Sequence, residues 1–223
     1  WGWVVMLPAP RSTEPPVMAA NRWISNAELV ADCARLGYLR DEWLTLDPTF
    51  EGGVWWKQWQ PEVLVTHNRD EDGSDFRDLP WCDDLFDAIA YDPPYVSKGG
   101  RATSGIKEMD NRYGQEDAPR TPALLQQLID DGLTEMARIV KPKGILLVKC
   151  QDYISSGRLW EGTYRTRRHA EALGLECVDR LEMVTSPRPQ PTTNRDGSPR
   201  RQVHARRNLS TLFVFRAPLG AAS

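Results

Sequence analysis

Asp92-Pro93-Pro94-Tyr95 follows the apolar run Phe86-Asp87-Ala88-Ile89-Ala90-Tyr91. The run reads as a short buried strand, and neither proline can donate to a ladder, so the strand must end there. Three kinds of group are thus held together at a strand's carboxyl end: a carboxylate acceptor, a rigid backbone turn and an aromatic face for stacking. In open α/β sheets ligands bind at that end.

A second constellation lies upstream. Trp43-Leu44-Thr45-Leu46 reads as a strand, followed by Asp47-Pro48-Thr49-Phe50-Glu51-Gly52-Gly53-Val54-Trp55-Trp56. An acid at a strand end, then a glycine turn leading into a helix, lets backbone approach a nucleotide-like ligand closely. Glu62-Val63-Leu64-Val65-Thr66 reads as another strand and leads into His67-Asn68-Arg69-Asp70. A ribose-binding acid belongs about 20 residues past such a glycine turn, which leaves both Asn68 and Asp70 as candidates. Asp75-Phe76-Arg77-Asp78-Leu79-Pro80 precedes the strand of the tetrapeptide. Trp55, Trp56 and Trp59 read as core packing.

Together these motifs resemble the amino-group methyltransferases of DNA, which use S-adenosylmethionine (SAM), in their compact solitary phage and bacterial form. The resemblance covers residues 25–216. It implies an α/β chain with the Rossmann-like SAM-methyltransferase fold: a mostly parallel, doubly wound sheet with a terminal antiparallel hairpin. It implies SAM binding by Asp47, Pro48, Thr49, Gly52 and Gly53, by Asn68 or Asp70, and by Asp75 and Phe76. Glu51 stands where the family's Asp-Pro-x-x-Gly-x-Gly pattern has its first glycine, so either the turn is shifted by one residue or a carboxylate occupies the position.

The resemblance further implies catalysis by Asp92, Pro93, Pro94 and Tyr95. The exocyclic amine of adenine is a poor nucleophile, its lone pair being delocalised into the ring. Asp92 and the Pro93 carbonyl would each accept one N–H and localise that pair, while Tyr95 stacks on a base extruded from the duplex. The expected reaction is methylation of adenine N6 in DNA, with no metal. Cytosine-N4 methylation, RNA guanine-N2 methylation and a nucleic-acid-binding protein that has lost catalysis are the alternatives.

Two segments are expected to contact nucleic acid. Residues 96–121 carry Lys98 and Arg101 beside Tyr95, a long connection suited to a lid. Residues 186–208 hold Arg188, Arg195, Arg200, Arg201, Arg206 and Arg207 against the single acid Asp196, although the whole chain is formally −3. Such clusters bind phosphates, and arginine also reads guanine edges.

Around these motifs, 223 residues suffice for one substantial core, here 21–223, preceded by a proline-rich flexible arm over 1–20. The first residues are too short an apolar run for a signal peptide. The four cysteines are dispersed, which points to a reducing compartment, the cytoplasm, and against a zinc site. No apolar stretch is long enough to span a membrane. A helix is expected over 25–37, with Ala27, Val30, Ala31, Ala34 and Leu36 as its apolar stripe, and another over 123–139. Lys141-Pro142-Lys143-Gly144 should end the latter before a buried strand, 145–150. A helix over 166–173 and strands over 175–183 and 210–216 complete the pattern.

Overall fold

The structure, a computed structural model, describes residues 18–68, 73, 75–95, 119–184, 193, 196–199, 201–205 and 207–220. Asp70, Lys98, Arg101, Arg188, Arg195, Arg200 and Arg206 lie outside the described residues, as do most of segments 1–20 and 96–121 and part of 186–208.

In chain order the elements are α1 (Asn26–Arg35), β1 (Leu44–Asp47), a 3-10 turn (Val54–Trp56), β2 (Val63–Thr66), β3 (Phe86–Tyr91), α2 (Pro122–Ile139) and β4 (Val140–Cys150). They continue with β5 (Tyr153–Ser155), β6 (Arg158–Trp160), α3 (Gly162–Ala172), β7 (Glu176–Val184) and β8 (Leu209–Arg216). Six strands form one sheet in the order β2-β1-β3-β4-β8-β7. β2, β1, β3 and β4 run parallel, whereas β8 is antiparallel to both its neighbours. The chain winds outward from β1 to β2 and then returns to β3 on the other side of β1. That reversal makes the β1/β3 boundary a topological switch point, with a crevice at its carboxyl end.

Each face of the sheet carries its own core. On one, Leu125, Ile129, Leu133 and Met136 of α2 pack with Phe76, Leu146, Val148, Phe213 and Phe215. On the other, Leu29, Val30 and Cys33 of α1 pack with Trp55, Trp56, Ala88, Ala90, Ile145 and Leu147. The helices begin where their caps dictate. Ser25 accepts from the Glu28 N–H, and Thr121 accepts from Leu124 ahead of a proline in the first turn. The β7 edge is covered by the chain's own start: Glu182 and Val184 donate to the carbonyls of Ala20 and Trp23.

Several elements differ from expectation. The glycine turn leads into one 3-10 turn and not an α-helix. The α1 stripe is rotated: Leu29 and Cys33 are buried while Leu36 is exposed, because Asp32 is drawn inward by bonds from Trp23 Nε1 and Arg35. Residues 140–144 do not stand between helix and strand but form the first part of β4. Val140 pairs with Phe86 and Ile145 with Ala88, so the extra residues bulge, with Lys143 at a φ of 64°. Lys141 secures the bulge on Asp87 at 2.6 Å. The β5–β6 hairpin was not expected, its strands being too short to show alternation. Its turn, Ser156-Gly157, has both φ values positive, as the tightest hairpin loops require. α3 begins at Gly162, ahead of its expected start, because Asp152 accepts the Thr163 N–H from outside the helix. The terminal strands do pair antiparallel, joined not by a tight turn but by residues 185–208. No helix among the described residues is long and apolar enough to cross a membrane.

Gly132 is the tightest point in this packing. A Cβ there would meet the Tyr91 hydroxyl and lie 2.6 Å from Phe76 Cε2. Gly132→Ala is therefore expected to lower stability by about 1–3 kcal/mol despite alanine's better helix propensity. Urea unfolding measures it, and a stability equal to or above wild type contradicts the packing.

Candidate functional site

Asp47 is the last residue of β1 and Asp92 the first after β3, and the two strands are paired with Leu46 opposite Ile89. The register therefore sets the two carboxylates at neighbouring strand ends over the crevice. Thr49 joins them. Its N–H donates to Asp47 Oδ1 at 3.1 Å, and its Oγ1 accepts the Asp92 N–H at 3.0 Å. The end of β2 is tied to the same place: the His67 N–H donates to the Asp47 carbonyl at 2.9 Å and Phe50 N–H to the His67 carbonyl at 3.1 Å. The His67 Nδ1 lies 3.2 Å from the Pro48 carbonyl, a hydrogen bond when that nitrogen carries the proton.

Both carboxylates receive an indole. Trp56 Nε1–H donates to Asp47 Oδ2 at 2.8 Å, and Trp55 Nε1–H to Asp92 Oδ2 at 3.0 Å. These tryptophans are core residues, as the sequence indicated, but their polar edges belong to the site. Burial pushes the Asp47 carboxyl up to about 6. The bonds from Trp56 and Thr49 oppose that rise, and the charge of Asp92 adds to it.

Of the other expected cofactor residues, Gly52 and Gly53 take left-handed φ values of 56° and 65°, and a Cβ on Gly52 would meet nothing within 4 Å. Gly52 thus faces open space, while a Cβ on Gly53 would lie 3.6 Å from the Phe50 ring. Glu51 is exposed beside Gly52, and Asn68 is half-buried just past β2. Asp75 begins a tight turn, with the Asp78 N–H donating to its carbonyl, and binds Arg77 at 2.7 Å. Phe76 is 5% exposed, its ring against Tyr91 in the core. Pro93 is buried, and Pro94 and Tyr95 are half-buried.

One residue that the sequence reading passed over belongs here. Lys149, near the end of β4, is 2% exposed. Its ammonium is 5.8 Å from the Trp55 ring centroid and 5.7 Å from that of Tyr95, and it donates to Asn26 Oδ1 at 2.6 Å. Burial lowers its pKa, and Asp92 opposes that shift. A lysine closing the run Ile145-Leu146-Leu147-Val148 was the available signal.

Arg201 and Arg207 are exposed, and His204 Nε2 lies 2.9 Å from the carbonyl of Gly157 in the β5–β6 turn. Topology puts the ends of both expected nucleic-acid segments at the same end of the sheet as the crevice. Segment 96–121 leaves from β3 after Tyr95. Segment 186–208 leaves β7 and enters β8 where Val184 pairs with Leu209, at the end of the sheet where Cys150 of β4 pairs with Thr211.

No family model matches the chain, and no curated protein does. Solved structures of similar outline include a putative DNA modification methylase of Thermus thermophilus, at 14% identity and a TM-score of 0.41 over 67% of this chain and 54% of that one. A SAM-dependent methyltransferase of Methanosarcina mazei is similar at 9% identity and a TM-score of 0.42, over 82% and 96% of the two chains. The cyclase SpnF is similar at 12% and 0.46, over 87% and 81%. This chain spans about half the length of the Thermus protein. At these scores the likeness is one of outline, which a cyclase shares with methyltransferases, and the chemistry must be argued from the site.

The raised Asp47 has a definite consequence for stability. Its folded-state pKa exceeds the ordinary value of 3.8, so the folded protein binds the proton more tightly than the unfolded chain. Stability then falls as pH rises from about 4 to about 6, and the full cost is present above that window. Urea unfolding at pH 4.5 and pH 7 should show this loss in wild type and a loss smaller by roughly 2 kcal/mol in Asp47→Asn. Equal losses in the two proteins contradict the assignment.

Proposed function

We propose that the chain is a SAM-dependent methyltransferase acting on an exocyclic amine of a base in DNA, adenine N6. The observation that carries this reading is the coupled pair Asp47–Thr49–Asp92 at adjacent strand ends of the switch point, with Asp92 opening a rigid Pro-Pro turn beside an aromatic ring. Asp47, Thr49 and the open Gly52-Gly53 turn fit a nucleoside-like cofactor: backbone can approach closely and a buried acceptor stands at the strand end. Glu51 departs from the family pattern but is exposed and leaves the turn open. Asn68 or Asp70, and the segment at Asp75, are assigned to the same cofactor.

SAM, when bound, supplies an electrophilic methyl on a sulfonium. The chain's own part is to place the nucleophile. Asp92 and the Pro93 carbonyl accept the two amine hydrogens, which turns the nitrogen lone pair toward the crevice. Trp55 holds one oxygen of Asp92 and so fixes the plane of the carboxylate. Tyr95 gives the extruded base a stacking face. The basic segment 186–208, with Lys98 and Arg101 before α2, is assigned to the phosphates, which suits its two ends at the carboxyl edge.

A second reading is a nucleic-acid-binding protein of the same fold without catalysis. Its ground is Glu51, a carboxylate where the family's pattern has its first glycine. Methyl transfer from labelled SAM to DNA of mixed sequence, followed by nucleoside analysis, decides between the two. N6-methyladenine supports the proposal; SAM-independent DNA binding without transfer supports the second reading.

Within the first reading, Asp92→Ala should lower transfer by more than about a hundredfold while leaving S-adenosylhomocysteine affinity nearly unchanged, as titration calorimetry reads it. A loss under about tenfold, ~1.4 kcal/mol in barrier, removes Asp92 from the reaction. Neutralising Arg200, Arg201, Arg206 and Arg207 together should weaken DNA binding and flatten the slope of log affinity against log salt, with cofactor binding intact. Fluorescence anisotropy across a salt series reads that slope, and an unchanged slope takes the segment out of the interface.

A further inference from the structure

Ile145, Leu147 and Lys149 alternate along β4 on the face that packs against α1, and the first two are core residues there. A third hydrophobe would complete the pattern at no electrostatic cost. A lysine stands there instead, 2% exposed. Burying an ammonium is expensive unless the surroundings repay it. Here the repayment comes from groups of the candidate site: the faces of Trp55 and Tyr95, the carbonyl oxygen of Asn26, and the negative charge of Asp92. Trp55 is also the residue that donates to Asp92. The cation therefore lies against the indole that bonds the carboxylate and against the ring three residues beyond it.

We propose that Lys149 is a positioning residue of the site: its ammonium, set between the rings of Trp55 and Tyr95, holds Asp92 in its ionised form and fixes the Tyr95 ring. This rests on the reading of Asp92 as acceptor of the target amine. A protonated Asp92 would lose acceptor capacity, and the amine lone pair would stay delocalised. A cation against the Tyr95 face limits the ring's freedom through an attraction that strengthens on desolvation. The groups facing Lys149 are Asn26 from α1, Trp55 from the 3-10 turn, Tyr95 after β3 and Leu212 across β8, none of them an acid or a base of the Asp, Glu, Lys, Arg or His type. Asp92 supplies the opposing charge and in turn faces Asp47 across the switch point, while the buried Cys150 thiol also feels it. Removing the ammonium leaves Asp92 with Asp47 as its charged neighbour, and both effects favour protonation of the pair.

The alternative role, a strut between β4 and α1 through Asn26, predicts lost stability and no change in titration. Lys149→Met keeps the length and removes the charge; Lys149→Gln serves if the methionine variant does not fold, and Lys149→Arg restores the charge. The first readout is tryptophan emission against pH, taken as the difference between each protein and its Trp55→Phe counterpart, so that the indole bonded to Asp92 reports on that carboxylate. The inflection should move upward by about one pH unit in the methionine or glutamine variant and return toward wild type in the arginine variant. An unmoved inflection overturns the proposal. The second readout is transfer kinetics: kcat should fall about tenfold or more with KM for SAM within about threefold, and the acid limb of the rate profile should move with the emission inflection. A kcat within about twofold of wild type overturns it as well. Should the wild-type chain transfer no methyl group, the proposed function fails by itself, and the emission inflections still decide the role of Lys149.

Discussion

A carboxylate taken out of water must be given donors, and much of this molecule is arranged around two that are. Asp47 and Asp92 are brought together by the parallel pairing of β1 and β3, which is a matter of register alone. Their donors are consecutive residues, Trp55 and Trp56. In a 3-10 helix successive side chains point about 120° apart, so adjacent indoles can reach different strand ends. The short turn carries both donors. It also leaves room on that face for α1, whose Leu29, Val30 and Cys33 complete the core around the indoles.

The opposite face supports the same crevice from below. Phe76 sits in the core against Tyr91, and Gly132 of α2 allows both rings to come close. The loop beyond is pinned by two residues of α2. Glu135 accepts the Leu79 N–H at 2.9 Å, and Arg138 donates to the Trp81 carbonyl at 2.9 Å and to Asp83 at 2.6 Å. The bond from Arg138 and that from Leu79 hold the Glu135 carboxyl below its ordinary range against the opposing effect of burial. Segment 75–83 is therefore held to the sheet through α2.

What could be read in the sequence follows a physical division. Strands buried on both faces announce themselves as apolar runs, and Phe86–Tyr91 was legible to the residue. The cap at Ser25 was legible because a hydroxyl before an apolar periodicity has few other uses, whereas that at Thr121, ahead of Pro122, was not read. The carboxylates at the strand ends were legible as motifs. Their partners were not, because a tryptophan reads as apolar mass while its single N–H chooses a partner only in three dimensions. Lys149 stayed hidden for the converse reason. A lysine at the end of a strand is ordinarily a solvated terminus, and only the approach of α1 at Asn26 and of the 3-10 turn encloses it. The β5–β6 hairpin carried its signal in two residues, Ser156-Gly157, and three-residue strands add nothing to it. The α1 stripe was misjudged by Asp32, whose burial depends on Trp23 and Arg35 lying within reach.

Tyr95 stands between two different environments, and that bears on how a base could be received. One neighbour is the ammonium of Lys149. Another is a small cavity of about 10 Å³ that Tyr95 lines with Gln126, Gln151, Tyr153 and Trp160. Such a volume holds about one water and no planar base. Gln126 Oε1 is buried there without a hydrogen-bond partner among the described residues, while its Nε2 donates to Asp130 at 2.9 Å. An acceptor left in that state costs about 1–3 kcal/mol, which a ligand donor or a bound water can recover. Under the proposed function, a base stacked on the cavity side of Tyr95 would have to enlarge this space. The element best able to yield is the β5–β6 hairpin, which carries Tyr153 and Trp160, pairs with no strand of the main sheet, and touches the basic segment through His204 and Gly157. Under the proposed function, phosphate contact by that segment and admission of a base at Tyr95 would be joined through one two-stranded ribbon, a structure too small to be stable without its neighbours.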